Sequence, residues 1–188
     1  MESELKQKIQ LSPVTLRGPV KRPNLGFHVS KSNNPHVAML SKIKLNMKTG
    51  TQKGIVFFLT VKEAQVMAEA MEAETPPIPV ACYHGQLTDS ERKNLEKSWT
   101  SGDIKVMFAT VAFGVGIGDP QVTFVFHYLG FYSLENYHQE TGRARNKASV
   151  ILFVPQNLPS SPTYSFSSKV IYFYFYASYF YFYASYFY

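Results

Sequence analysis

Cysteine is almost missing from this chain of 188 residues. Cys82 stands alone, so neither an internal disulfide nor a cysteine-rich zinc site can be built. It lies in the apolar run Ile78–Tyr83 with no cation beside it to favour a thiolate, which points to a buried, inert thiol. A signal-peptide core is also missing: Met1–Gln10 is charged and has no apolar stretch, so an intracellular protein is expected. The pattern G-x-x-x-x-G-K-[ST] occurs nowhere, and neither does an acidic DExH-type run. The chain therefore has no phosphate-cradling loop of that kind and no acidic motif to hold magnesium. Acidic residues are the minority, 13 against 19 Lys and Arg, for a net charge of +6 and a pI near 9.3. That balance permits nucleic-acid binding and equally suits an ordinary basic domain.

What is present falls into three zones. Residues 1–32 form a basic leading segment with Pro13, Pro19 and Pro23 and one short strand expected at Leu25–Val29. Residues 33–155 form the expected domain, and 156–188 a Pro/Ser linker followed by a Tyr/Phe tail. Length alone allows one sizeable core.

Within the middle zone, apolar runs alternate with helical patterns. Gly54–Leu59 reads as a strand buried on both faces. A helix is predicted from about Val61 to Ala73, with Ala64, Met67, Ala68 and Met71 as its apolar stripe. Pro76, Pro77 and Pro79 lead into a strand at Ile78–Tyr83. Thr88-x-x-Glu91 has capping-box spacing and opens a helix whose inner face carries Leu95 and Trp99, stopped at Ser101-Gly102-Asp103. Further strands are predicted at Lys105–Thr110, Val122–Tyr128 and Ser149–Val154, with a helix from about Ser133, its N-cap, to Arg145. Strands separated by such helices predict a mostly parallel sheet with right-handed crossovers in a three-layer α/β fold. Ligands then belong at the carboxyl ends of the strands.

Two stretches carry chemistry. In Ala109–Gly118 the alternating Gly114, Gly116 and Gly118 let backbone approach a phosphate, and Thr110 offers a hydroxyl at a strand end. In Asn136–Arg145, Gln139, Glu140, Arg143 and Arg145 lie on or beside one helix, and arginine is suited to clamping phosphate oxygens. Taken singly, the first could be a flexible turn and the second a solvated helix face.

In sequence order, GIVFFL, YHGQL, ATVAFGVGI, FVFHY and SLENYHQETGRAR resemble the second RecA-like lobe of RecQ-type DNA helicases. The resemblance runs from about Arg17 to Pro155, because Arg17-Gly18 and Arg22-Pro23-Asn24-Leu25 resemble the segment leading into that lobe. DEAD-box RNA helicases instead carry HRxGR and ARGxD patterns. The resemblance implies a nuclear motor of two lobes with ATP and magnesium between them, stepping 3′ to 5′ along single-stranded DNA. The implied partners are DNA and a first RecA-like lobe, with no membrane. It implies that Arg143 and Arg145 act on the γ-phosphate, Arg145 as arginine finger. Gln139, Gly142, Gly114 and Gly116 would belong to the nucleotide site. Thr110 and Thr60 would face the DNA, and Tyr83-His84 match a strand end of the pattern, where simple packing is an equal reading.

Departures from the pattern are specific. Thr60-Val61 replaces the usual Ser-Arg, and Gly118 stands where Asp or Asn is usual. The arginine motif usually ends Gly-Arg-x-Gly-Arg followed by Asp-Gly, but here reads Gly142-Arg143-Ala144-Arg145-Asn146-Lys147. If the helix continued through Arg145, the two arginines would point roughly 160° apart at about 100° per residue. In the tail, Tyr172–Ser178 and Tyr179–Ser185 are identical copies of YFYFYAS. A membrane segment, a base-stacking platform and translated simple-repeat DNA are the competing readings, the last favoured because the tail lacks interleaved cations and leucine. Two functions follow for the chain: a truncated helicase lobe inactive alone, or a stand-alone module that binds nucleic acid or a helicase without catalysis.

Overall fold

A computed structural model describes residues 22–47, 52–74, 76–113, 119 and 121–157. The elements, in chain order, are β1 (Leu25–Ser32), α1 (Pro35–Met47), β2 (Lys53–Phe57), α2 (Val61–Glu72), β3 (Val80–Tyr83), α3 (Asp89–Ser101), β4 (Val106–Ala109), β5 (Val122–Tyr128), α4 (Leu134–Thr141) and β6 (Ala148–Pro155). The six strands form one sheet in the order β1-β6-β5-β2-β4-β3, and all its pairings are parallel. The strand expected at Leu25–Val29 forms, extends to Ser32, and pairs along its whole length with β6. The sheet thus draws its edge strand from the leading segment.

Side-chain alternation along the strands divides the core in two. Val56, Phe58, Val106, Phe108, Phe124, Phe126, Ile151 and Phe153 pack with Met39, Leu40 and Ile43 of α1 and with the Ala64, Met67, Ala68, Met71 stripe of α2. On the opposite face Ile55, Phe57, Met107, Ala109, Val125 and Val150 pack with Trp99 of α3, and Leu95 and Tyr137 close over them. Helices therefore cover both faces, giving the three-layer α/β architecture. The inner strands β2 and β4 are buried at every position, as continuous apolar runs require.

The helix ends follow the local chemistry. Thr88 and Glu91 form the expected capping box, and Ser133 caps α4 by accepting from the Asn136 amide. Gly102 ends α3 at φ 87°, a left-handed conformation that glycine adopts without strain, and its N–H donates to the Trp99 carbonyl. Helix α1 has no counterpart among the sequence expectations. Its signals were local: Asn34 accepts from the Val37 amide and Pro35 occupies the first turn, but the buried positions make no long stripe. Helix α4 ends at Thr141, four residues before the expected Arg145. Gly142 closes it, so the stretch from Arg143 onward is not helical and the expected 160° divergence of the two arginines does not apply.

Candidate functional site

Arg143 follows directly on the Gly142 cap, half-buried in the turn leaving α4. Its Nη2 donates to the Phe113 carbonyl at 3.0 Å, and its guanidinium lies 5.6 Å from the centre of the Phe113 ring. Phe113 is the residue immediately before the glycine-rich stretch. The two motifs, thirty residues apart, thus meet at one guanidinium. Burial draws the Arg143 pKa down, and the Glu140 carboxylate opposes that shift.

The next residues run along the amino-terminal edge of the sheet. Ala144 pairs with Asp119 in an isolated parallel bridge. Arg22 Nη2 donates to the Ala144 carbonyl at 3.4 Å, and Asn24 Nδ2 donates to the carbonyls of Arg145 and Asn146 at 3.4 and 3.1 Å. The backbone around Arg145 is held while its side chain is exposed. Asp119 is itself anchored: its Oδ2 accepts from Lys53 Nζ at 2.6 Å, and the same ammonium donates to the Trp99 carbonyl at 2.6 Å. Lys53 is 1% exposed. Nothing in the strand pattern pointed to a buried lysine at the start of β2. In the sequence, the Arg22-Pro23-Asn24 run reads only as part of the segment leading into the lobe.

On α4, Gln139 is exposed and Glu140 turns inward, where its Oε2 meets His127 Nε2 at 2.9 Å. Tyr137 packs beside this pair, its phenol pKa pushed up by burial and by Glu140. Gly114 and Gly116 lie outside the described residues. Among the described residues no group of three or more His, Cys, Asp or Glu could hold a metal ion.

The carboxyl edge of the sheet carries the other candidates. Thr110 is buried; its amide donates to the Tyr83 carbonyl, and its own carbonyl accepts from Phe113. Thr60 is exposed, but its hydroxyl is committed to a capping box with Glu63 at the start of α2, accepting from the Glu63 amide and donating to Oε2. The Thr60-x-x-Glu63 spacing had this signal in the sequence. Tyr83 packs edge-on against Phe113, ring centres 5.0 Å apart, and its hydroxyl donates to Glu96. His84 is 8% exposed, with no partner for Nδ1. No helix among the described residues is long and apolar enough to cross a membrane.

Comparison with known proteins agrees with this architecture. Residues 35–147 match the helicase conserved C-terminal domain. The chain is 36% identical over 133 residues to the ATP-dependent helicase SGS1 of Saccharomyces cerevisiae, covering 70% of this chain and 9% of that protein. It is 33% identical over 144 residues to the ATP-dependent DNA helicase Q1 of Pongo abelii, covering 74% of this chain and 22% of that protein. The chain therefore spans less than a quarter of either relative. Among solved structures, domain 2 of the DEAD-box helicase Mss116p, bound to an RNA duplex, superposes with a TM-score of 0.62 at 23% identity, over 71% of this chain and 55% of that one. That likeness shows the RecA-like fold. The matched domain, the RecQ relatives and the parallel sheet together place the chain in the helicase conserved C-terminal domain family, as a second RecA-like lobe of the RecQ type.

Proposed function

We propose that the chain serves as the second motor lobe of an ATP-dependent, 3′-to-5′ DNA helicase that works in the nucleus, and that these 188 residues alone do not turn over ATP. The meeting of Arg143 with Phe113, at the start of the glycine-rich stretch, is the observation that carries this reading. It sets the guanidinium of the arginine motif against Phe113 of the other motif. The donor set suits the phosphate half of a nucleotide site: a half-buried guanidinium at Arg143 and an exposed one at Arg145. ATP bound between two lobes would supply the energy-yielding phosphoryl transfer. In this reading Arg143 stabilises charge on the phosphate, and Arg145, braced through its carbonyl by Asn24, completes the clamp. The lobe boundaries at 33–155 belong to the same proposal, with β1 contributed by the residues before them.

The test is reconstitution. The chain is assayed alone, then joined to the first lobe of a RecQ relative, with and without single-stranded DNA. DNA-stimulated turnover is expected only from the joined protein and is expected to fall sharply in Arg143→Ala and by about a thousandfold in Arg145→Ala, the scale of an arginine-finger loss. Turnover by the chain alone, or an indifferent Arg143→Ala, overturns the reading.

A further inference from the structure

The turn between β5 and α4 is built at a cost. Leu129 sits at φ 63°, a left-handed conformation that a leucine adopts only under constraint, and Gly130 follows at φ 153°. The Leu129 amide donates to the Phe153 carbonyl at 2.9 Å, which pins the turn to β6. Beyond it the chain puts one aromatic in and one out: Phe131 is buried, whereas Tyr132 is 41% exposed. The Tyr132 hydroxyl donates to the Leu59 carbonyl, so the exposed ring is held in place at the carboxyl edge of the sheet. Leu59 precedes Thr60, and Lys62 stands exposed in the first turn of α2. Because β2 lies between β5 and β4, the loop ending in Tyr132 and the loop beginning at the exposed Val111 flank this segment on either side. The edge thus presents a fixed aromatic face, an apolar neighbour and a cation.

We propose that Tyr132 is a stacking platform for a base of a single nucleic-acid strand, DNA under the function proposed above, on which this inference rests, with Lys62 facing the adjoining phosphate. A ring whose hydroxyl is tied down loses little freedom when a base settles on it. Stacking is indifferent to base identity, as a moving motor requires. A hydroxyl that merely ties two loops together would need no exposed ring, so the ring and the hydroxyl can be tested separately.

The experiment measures anisotropy of labelled oligothymidine and oligouridine with the whole chain and with Tyr132→Phe, Tyr132→Ala and Lys62→Ala. A photoreactive 5-iodouracil oligonucleotide maps the contact. Tyr132→Phe should bind within about twofold of the unaltered chain and Tyr132→Ala about fivefold or more weakly, the range of one lost stack. Lys62→Ala should lower the salt slope by about one. Crosslinks should fall on the peptide containing Tyr132. If Tyr132→Ala melts early, the crosslink and Tyr132→Phe decide. Binding unchanged in a folded Tyr132→Ala, or crosslinks confined elsewhere, overturns this inference and leaves the helicase reading standing. Preference for oligouridine with Tyr132 still required supports the platform and overturns the DNA assignment. No binding by the unaltered chain overturns this inference, and the helicase reading is then decided by the joined protein.

Discussion

His127 at the end of β5 and Glu140 on α4 meet inside the lobe, Nε2 to Oε2 at 2.9 Å, with the imidazole fully buried. The carboxylate can only accept, so Nε2 carries the hydrogen. The ring lies flat against Phe57, centres 5.4 Å apart, and within 4.7 Å of Tyr137. The pair fixes α4, whose cap Gly142 immediately precedes Arg143. Glu140→Gln keeps an acceptor oxygen and should cost about 1 kcal/mol, whereas Glu140→Ala strands a buried N–H and should cost about 2–3 kcal/mol. Urea unfolding checks this. Equal losses in the two variants would show that the imidazole finds another acceptor.

Lys53 and Asp119 predict an asymmetry. Removing Asp119 leaves an ammonium buried without its countercharge, whereas removing Lys53 leaves a carboxylate near solvent, its side chain 16% exposed. Asp119→Ala should therefore destabilise by about 3 kcal/mol or more, and Lys53→Met by clearly less, because a methionine keeps the packing against Trp99. Chemical denaturation of the two single variants and the double variant decides. A larger loss for Lys53→Met would mean that its bond to the Trp99 carbonyl outweighs the ion pair.

Gly54 has no room for a side chain. A Cβ there would lie 1.8 Å from Cζ of Phe124. Gly54→Ala should cost about 1–3 kcal/mol through overpacking, and Phe124→Leu in the same chain should recover part of that loss. Strictly additive losses in thermal melts would indicate that backbone, not the ring, resists the substitution.

Cys82 titrates late. Burial first, then Glu72 and Glu69, raise its pKa from 9.0 to about 11, while its Sγ donates to the Ala64 carbonyl. Alkylation by iodoacetamide at pH 8 should be slow in the folded chain and fast in urea. The linkage has a definite sign. The folded state retains the proton where the unfolded state has lost it, so this contribution to stability is complete below pH 9 and declines as the pH rises from 9 towards 11. A melting temperature that Cys82→Ala leaves with the same alkaline decline would assign that decline to another group.

Much of the fold was legible because it rests on short-range periodicity. Val122–Tyr128 appears with the bounds read from its apolar run, and the α2 stripe is buried at all four expected positions. The capping box at Thr88 and Glu91 is a three-residue relation, and it forms. Thr60 and Glu63 form the same three-residue relation at the start of α2, where the Thr60 hydroxyl serves as cap.

Which motifs lie in which order, and therefore the family, was decided by the sequence alone, because residue identity and spacing survive without coordinates. The tertiary structure alone decided what the arginines touch. Helix α4 stops at Gly142, so the Arg143 side chain is set by turn geometry and by Phe113, and the backbone at Ala144 and Arg145 by Arg22 and Asn24, both more than a hundred residues away. The buried partners of Lys53 and His127 were hidden for the same reason. A charge or imidazole in a core is tolerated only when a second group arrives across the fold to meet it. No pattern within a strand records that arrival.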